Sequence, residues 1–215
     1  MSEYLEPGRY VDSNDPGVAA FSKANTKGSS DRDRAVSLYY AVRDGIRYNP
    51  FLDFSKREAF TASTVLAAGE GFCIGKAALL AACGRAAGLE TRVGFADVKN
   101  HLTSPRLAET MGSDLFVYHG FTEFRIGGRW VKCTPAFNLE LCRRFRVKPL
   151  EWDGESDSIF HPFDEDDRRH MEYLRDRGSF ADVPVVEIQQ AFREAYPRFY
   201  KLGRDAGKET FAPGT

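Results

Sequence analysis

The sequence predicts an α+β fold, and three observations support this class. Apolar residues recur at helical spacing through residues 30–88. Aromatic-rich runs of alternating character lie on both sides of Gly127-Gly128, the kind of dipeptide expected in a two-residue hairpin loop. The helical segments precede these strands instead of alternating with them, which argues against a βαβ arrangement. We therefore expect N-terminal helices packed on an antiparallel sheet, with additional helices toward the C-terminus.

The predicted helices of the first half are well delimited. Ser30 and Asp31 are favourable N-cap residues, and helical periodicity continues from them to about Gly45. A shorter helix is predicted at residues 61–68, and a longer one follows at residues 72–87. Glycine stands at or just beyond the end of each, as is common at helix C-termini.

We expect one domain over the whole chain. Residues 1–30 are rich in turn-forming residues and predict an irregular N-terminal arm, ahead of a core at residues 31–145. The more polar residues 146–215 predict a helical extension, with helices at residues 165–177 and 185–195.

Composition and cysteine usage exclude several classes of protein. The chain is 42% hydrophobic and 28% charged with a formal charge of −1, which favours neither a nucleic-acid nor a membrane partner. Its first residues, MSEYLEPGRY, lack the basic and apolar regions of a secretory signal, so we expect a cytoplasmic protein. The spacing of the cysteines matches neither a metal motif nor a disulfide framework, and all four are expected to be thiols. They are Cys73, Cys83, Cys133 and Cys142.

Cys73 occupies the first turn of the predicted 72–87 helix, directly after the break Gly69-Glu70-Gly71. At that position the unpaired backbone N–H groups and the helix dipole stabilise a thiolate. The same N–H groups are placed to donate to the oxyanion that develops when a thiolate attacks a carbonyl. The competing interpretation is a buried structural cysteine, which we keep for Cys83 and Cys142.

A strand histidine favours the catalytic interpretation of Cys73. His119 lies in the first strand of the predicted hairpin, 46 positions beyond Cys73 (119 − 73). A rigid strand can aim an imidazole at the N-terminus of a helix packed against it. We therefore predict Cys73 as the nucleophile and His119 as its general base.

Two longer stretches, GFCIGKAALLAACGRAAGLETRVGFADV and YHGFTEFRIGGRWVKCTP, together resemble the core of the transglutaminase-like superfamily of papain-like cysteine enzymes. In that family a helix opens with the nucleophilic Cys, an R-x-x-G-[IL] turn leads into a strand, and a His precedes a G-x-W-V hairpin. The matching residues are Cys73, Arg85–Leu89, His119 and Gly128–Val131. The upstream stretch VRDGIRYNP fits the same pattern. The resemblance covers about residues 35–140 and implies acyl chemistry on amide or ester carbonyls by a Cys-His-Asp triad.

The third member of that triad is replaced in this chain. The family continues W-V-x-x-D-P-T, whereas the sequence from residue 130 is W-V-K-C-T-P, with Thr134 in the aspartate's position. Pairing outward from the hairpin loop also puts Thr134 and Asn138 on the face of His119, and Cys133 on the other face. A threonine hydroxyl can accept the imidazole N–H, but it cannot stabilise imidazolium as a carboxylate does. Thr134 is therefore the predicted orienting residue, with Asn138 and Asp97 as alternatives.

Substrate contacts are predicted at Phe72, Asp97 and Asn138. Asp97 follows a strand predicted at residues 91–95 and opens a loop predicted at residues 97–105, where a turn held by side-chain hydrogen bonds is the competing interpretation. For Asn138 the competing role is that of a loop cap.

A cluster of histidine and aspartate at residues 161–170 has the side chains of a metal site. An acidic helix start and solvated surface explain it better. We predict neither a metal nor a cofactor.

The favoured function is cysteine-dependent acyl transfer on a peptide, a protein side-chain amide or a small amide or ester. A peptidase or amidase is favoured over a protein cross-linking enzyme. The missing aspartate leaves one alternative from another class, a catalytically degenerate module that binds a peptide or protein partner.

Overall fold

The structure is a computed structural model and describes residues 2–100, 109, 112–159 and 171–197. The predicted α+β class is confirmed, since helices pack against an antiparallel sheet. The helices in these ranges are α1 (Pro16–Asn25), α2 (Asp31–Gly45), a 3-10 helix (Arg57–Phe60), α3 (Ala62–Ala68), α4 (Cys73–Ala86), α5 (Leu139–Phe145) and α6 (Val185–Ala195).

The strands of the described residues form two sheets. Their bounds are β1 (Arg47–Tyr48), β2 (Glu70–Gly71), β3 (Thr91–Asn100), β4 (Leu115–Ile126), β5 (Arg129–Cys133) and β6 (Met171–Phe180). The larger sheet has the order β5-β4-β3-β6 with antiparallel neighbours, and β1 and β2 form a short parallel pair.

Helix α4 lies at the centre of the molecule. Every residue from Cys73 to Arg85 is buried. A helix that is apolar on all sides is typical of one enclosed by other elements. Here α4 packs against β3 and β4 on the sheet side and against α1, α2 and α3 on the other sides. The first turn of α4 is thereby fixed relative to both the sheet and the helical layer.

The predicted hairpin is confirmed in its register. Ile126 pairs with Arg129 across Gly127-Gly128, and the ladder continues to Thr122 opposite Cys133. Both glycines have positive φ, which explains why this dipeptide forms the loop. Beyond Cys133 the chain leaves β4, so the predicted continuation of this pairing, which put Thr134 and Asn138 on the face of His119, does not form.

The prediction of an irregular arm over residues 1–30 is wrong, because helix α1 forms within it. The segment interpreted as a turn is a helix N-terminus: Asp15 accepts hydrogen bonds from the N–H groups of Gly17 and Val18, with Pro16 in the first helical position. Val18 is fully buried, and the Ser22 hydroxyl donates to the carbonyl of Cys83 at 2.7 Å. This segment therefore covers one side of α4.

Two predictions beyond residue 95 are also wrong. Strand β3 continues to Asn100, so Asp97 lies inside a strand; residues 101–105 of the predicted loop lie outside the described residues. Residues 171–177 belong to strand β6, not to a helix, because pairing with β3 outweighs their local preference. Residues 165–170 lie outside the described residues. The helix predicted at residues 185–195 is confirmed as α6.

Candidate active site

Cys73 and His119 line the same cavity. It lies between the start of α4 and the strand β4, and its walls also include Tyr48, Phe54, Phe72 and Tyr196. The Cys73 side chain is 8% exposed and His119 is 4% exposed. A cavity volume of about 40 Å³ is far below the roughly 300–1,000 Å³ of a typical ligand pocket, so the site is closed to a ligand of that size in this structure.

Backbone donors surround the sulfur of Cys73. Burial raises the pKa of the Cys73 thiol to about 11, while the backbone N–H groups of Gly120, Ile74 and Cys73 act to lower it. The predicted donors at the helix start are present, but the expectation of a depressed thiol pKa is wrong for the closed site, because desolvation outweighs them. At neutral pH the thiol is protonated and needs a base before it can attack.

Gly120 allows β4 to approach the first turn of α4. A Cβ atom at this position would lie 2.8 Å from the Cα and 3.1 Å from the backbone nitrogen of Ile74. No side chain fits at those distances, so the residue after His119 has to be glycine for the strand to touch the helix here. This contact puts the Gly120 N–H beside the Cys73 sulfur. It also fixes the position of His119, the preceding residue of the same strand.

A β-bulge directly precedes His119. Ala96 pairs with His119 but Val98 pairs with Phe116, so β4 has one extra residue at this point. Tyr118, inside the bulge, has φ +55°, a conformation that aromatic residues rarely adopt. Bulges often lie beside active sites, where they redirect a side chain.

Asp97 and Arg177 stabilise this bulge. The Asp97 carboxylate accepts the Tyr118 N–H at 3.0 Å and binds the Arg177 guanidinium through both oxygens, at 2.7–3.0 Å. The guanidinium also stacks over the Tyr118 ring, 4.8 Å from its centre. Hydrogen bonding to Asp97 raises the pKa of Arg177, as expected for a stable ion pair. The structure thus gives Asp97 partners in the bulge, where the sequence predicted a substrate contact.

Tyr48 is a cavity residue that the sequence interpretation missed. Parallel pairing of β1 with β2 places Tyr48 opposite Gly71, two residues before Cys73. Burial, the Cys73 sulfur and Tyr196 raise the pKa of Tyr48, so its hydroxyl keeps its proton. That hydroxyl makes no hydrogen bond to the described residues. The only available signal was the position of the tyrosine in VRDGIRYNP, where the resemblance covers it without assigning it a role.

The predicted orienting residues Thr134 and Asn138 do not line this cavity. The Thr134 hydroxyl donates to the carbonyl of Ile159, and its backbone N–H donates to Ser158. Asn138 lies behind Tyr48, whose N–H donates to the Asn138 side-chain oxygen at 3.3 Å. Asn138 borders a different cavity, so the structure places it beside β1 and not among the side chains around Cys73.

The remaining predicted features have simple structural positions. Phe72 is the N-cap residue of α4 and packs between Phe54 and Phe60 on the cavity wall. Gly69, with φ +65°, ends α3, and Gly71 packs on Val65, so these glycines shape the entry to α4. The histidine and aspartate cluster at residues 161–170 lies outside the described residues.

The described side chains form no cluster of three or more potential metal ligands. None of the described helices has the length and apolar character that crossing a bilayer requires.

Comparison with known proteins decides the family. The profile of the transglutaminase-like superfamily matches residues 19–135, more than half of the 215-residue chain. The chain belongs to the transglutaminase-like superfamily. The family match contains both Cys73 and His119, and it ends one residue after Thr134.

Among solved structures, a candidate cysteine protease from Cytophaga hutchinsonii is similar. The identity is 15% and the TM-score 0.47, over 82% of this chain and 52% of that protein. The chain therefore spans about half the length of this relative. None of the curated proteins matches the sequence significantly.

Proposed function

We propose that this transglutaminase-like protein is a cysteine-dependent enzyme that transfers or hydrolyses acyl groups of amides or esters. Cys73 is the nucleophile and His119 the general base. The observation that carries the proposal is the position of Cys73: its sulfur lies among the backbone N–H groups of Gly120, Ile74 and Cys73 itself, in the cavity that His119 also lines.

The first step needs His119 because burial keeps the thiol protonated. The imidazole takes the thiol proton as the sulfur forms a bond to the carbonyl carbon, and the carbonyl electron pair moves onto its oxygen. Backbone N–H groups at the start of α4 are placed to donate to this oxyanion. We assign the Tyr48 hydroxyl as the side-chain donor, since it lines the cavity and keeps its proton.

In the second half of the reaction the proton held by His119 goes to the leaving group, and water then releases the acyl group from Cys73. Imidazolium gives its proton to the leaving amine or alkoxide as the bond to the acyl carbon breaks, which leaves a thioester on Cys73. Water then attacks the thioester while His119 takes its proton, and the released thiolate recovers that proton. We propose hydrolysis and not cross-linking, so that water and not a second amine takes the acyl group.

Thr134 is proposed to orient the imidazole because it occupies the sequence position of the family's aspartate, although its hydroxyl makes no hydrogen bond to His119 in this structure. Its hydroxyl proton is directed at the Ile159 carbonyl, which leaves the oxygen lone pairs to accept an N–H. Donation to the carbonyl also makes that oxygen a better acceptor. Such a group fixes a tautomer but supplies no negative charge, so we expect a slower enzyme than one with an aspartate.

The direct test of this proposal is to trap the acyl-enzyme. The protein is mixed with p-nitrophenyl acetate, quenched in acid and mapped by mass spectrometry. We expect one acetyl group on Cys73 in the wild type and in Cys83→Ala, and none in Cys73→Ala. His119→Ala should lower the acylation rate by roughly 10²–10⁴-fold. Acetylation of several cysteines at similar rates would contradict the proposal.

The role of Thr134 is tested separately with two variants. Thr134→Val removes the acceptor at nearly constant volume, and Thr134→Ser retains it. We expect the valine variant to acylate about tenfold more slowly, with the serine variant close to the wild type. Equal rates in the two variants would exclude Thr134 as the orienting residue.

The binding module remains the second candidate, because the aspartate is missing and the site is closed. It would be favoured if Cys73→Ala abolished acylation while a peptide or protein partner of the wild type still bound with unchanged affinity.

A further inference from the structure

One edge of β4 beside the cavity has no strand partner among the described residues. Strand β3 covers one side of β4 along its length, but β5 covers the other side only from Thr122 to Ile126. The part of β4 before His119 is therefore open on the β5 side. An unpaired strand edge presents backbone N–H and C=O groups that can bind another extended chain.

A tyrosine hydroxyl occupies this open edge. The Val117 N–H donates to the Tyr196 hydroxyl oxygen at 2.6 Å, and that hydroxyl donates to the Leu115 carbonyl at 2.8 Å. The two backbone groups are two residues apart and point to the same side of the strand. An added β-strand would satisfy the same pair with one N–H and one C=O. The single Tyr196 hydroxyl thus makes the two hydrogen bonds that an N–H and a C=O of an added strand would make.

This edge leads directly to the candidate nucleophile. Val117 lies two residues before His119, and Val117, Tyr196 and Cys73 all line the same cavity. The Tyr196 ring and Phe192 form one wall of that cavity, so α6 and the residue after it close the site. A cavity of about 40 Å³ has no room for a peptide carbonyl with its flanking residues, so we expect this wall to move when such a substrate binds.

Tyr196 and Gln189 both hold the wall in place through hydrogen bonds. Besides the Tyr196 hydroxyl, the Gln189 side chain donates to the carbonyls of Phe54 and Ser55 at 2.9 and 3.1 Å. Phe192 packs against Phe54. The Tyr196 hydroxyl lies beyond the last residue of α6, so its two hydrogen bonds can break while the buried Val185, Ile188 and Phe192 keep the helix on the core.

We propose that the edge of β4 at Leu115–Val117 binds the main chain of an extended peptide, and that Tyr196 occupies this edge until the peptide displaces it. The inference rests on the proposed function, because the bound main chain carries the carbonyl to Cys73. It specifies the substrate class of that function as polypeptide, recognised through backbone hydrogen bonds.

The test uses a peptide probe and its N-methylated analogues. Acetyl-trialanine chloromethyl ketone alkylates a thiol with loss of chloride, and methylating one amide at a time removes one N–H donor from the probe. We expect methylation at one position to slow alkylation of Cys73 about tenfold, because the Leu115 carbonyl then lacks a donor. Iodoacetamide, which has no peptide chain, serves as the reference reagent.

The matched protein variants are Tyr196→Phe and Tyr40→Phe. Tyr196→Phe leaves the Val117 N–H and the Leu115 carbonyl without partners in the closed state, so Cys73 should react with the peptide probe about tenfold faster. Tyr40 is the control because its hydroxyl also accepts a backbone N–H, that of Trp152 at 3.1 Å, away from the cavity. Rates within twofold of the wild type for Tyr196→Phe, or equal rates for all N-methylated probes, would overturn the proposal.

A second measurement separates this proposal from the chemistry of Cys73. In Cys73→Ala combined with Tyr196→Phe, unreactive acetyl-trialanine methylamide is added and the hydrogen exchange of the Val117 amide is followed. Protection of this amide supports the edge site even if Cys73 proves not to be a nucleophile. Unchanged exchange at a saturating peptide concentration overturns the edge site even if Cys73 is acylated.

Discussion

The two ends of helix α4 each carry a buried cysteine, and their surroundings differ. Burial raises the pKa of Cys83 to about 12 with no opposing group, whereas the pKa of Cys73 is raised to about 11 against three backbone donors. Cys73 borders a cavity that contains His119, while Cys83 is fully enclosed and lies beneath α1, whose Ser22 bonds to its carbonyl.

The difference shows that residue type and burial do not distinguish a nucleophile from a packing residue on this helix. The position in the first turn does, because only there are backbone N–H groups available to a side chain. The contact of Gly120 with that turn adds one more donor from the sheet. We expect changes at the Cys73 end to affect the reaction, and equivalent changes at the Cys83 end to affect stability.

The largest effect is expected from adding a methyl group at a glycine near each end of α4, at Gly120 of β4 or at Gly84 of α4 itself. Gly120→Ala puts a Cβ 2.8 Å from the Cα of Ile74, so the strand must shift and the N–H moves away from the sulfur. A displacement approaching 1 Å can cost about 100-fold in rate, so acylation of Cys73 should fall by that order. Steady-state esterase kinetics measure the change in rate, and thermal unfolding measures the change in stability.

Gly84→Ala is the matched variant at the other end. The atoms nearest its Cβ would belong to side chains, the Thr91 methyl at 2.5 Å and the Phe124 ring at 2.7 Å. We expect a loss of about 1–3 kcal/mol in the free energy of unfolding from overpacking, with the acylation rate within twofold of the wild type. A Gly84→Ala variant that lost activity while still folded would refute the distinction between the two ends.

A smaller effect is expected from the ion pairs that join neighbouring strands. Asp97→Ala removes the acceptor for the Tyr118 N–H and the partner of Arg177. Without them the bulge relaxes and His119 is less well aimed, so kcat should fall about tenfold with little change in KM. Asp97→Asn retains one acceptor and should lie between this variant and the wild type.

Glu123 provides the comparison, since it joins β4 to Arg92 of β3 at 2.7 Å and is fully buried. Glu123→Gln should lower the melting temperature and leave kcat unchanged. Equal losses of kcat in Asp97→Ala and Glu123→Gln would indicate a general effect of strand pairing and contradict a special role of the bulge.

The smallest effect concerns the two buried cations of α4. Lys76, one turn after Cys73, donates to the carbonyls of Arg43 and Ile46 at 2.9 and 2.6 Å, and burial lowers its pKa to about 7. Above that pH the folded protein has a neutral lysine while the unfolded chain remains protonated. The free energy of unfolding therefore rises with pH, by at most about 1.4 kcal/mol per unit.

The window for this measurement is roughly pH 7 to 8, since the pKa values of all four cysteines are raised in the fold and their ionisation in the unfolded chain reverses the trend above about pH 8. Urea unfolding should show the rise in the wild type and not in Lys76→Met. Arg85, the buried cation near the C-terminal end of α4, stays charged over this pH range. It should therefore contribute no pH dependence to the free energy of unfolding. A slope that persists in Lys76→Met would assign the pH dependence to another group.

Much of the site could be predicted because its signals are local in sequence. The helix start at Cys73 and the hairpin register both follow from glycines and periodicity. Helix α1 was missed because Asp15-Pro16-Gly17 suits a turn as well as a helix cap. Strand β6 could not be predicted, since its partner β3 lies about 80 residues earlier and no local pattern encodes that pairing.

The parts of the site that the sequence did not reveal depend on long-range contacts. Asp97 was expected in a loop because nothing near it indicates its partner, Arg177. Tyr48 reaches the cavity only through the pairing of β1 with β2. Tyr196 bonds to a strand 81 residues earlier, at Leu115. The pKa of Cys73 was misjudged for the same reason, since burial is a property of the whole fold.

The Cys73–His119 pair is tested most directly by the pH dependence of alkylation at Cys73 and Cys83, measured with iodoacetamide in the wild type and in His119→Ala. If His119 accepts the thiol proton, Cys73 reacts at neutral pH at least about tenfold faster than Cys83, and His119→Ala removes this advantage without changing Cys83. If Cys73 instead reacts only as the pH approaches about 11, its own pKa in the closed site, and does so equally with and without His119, the proposed pair does not exist.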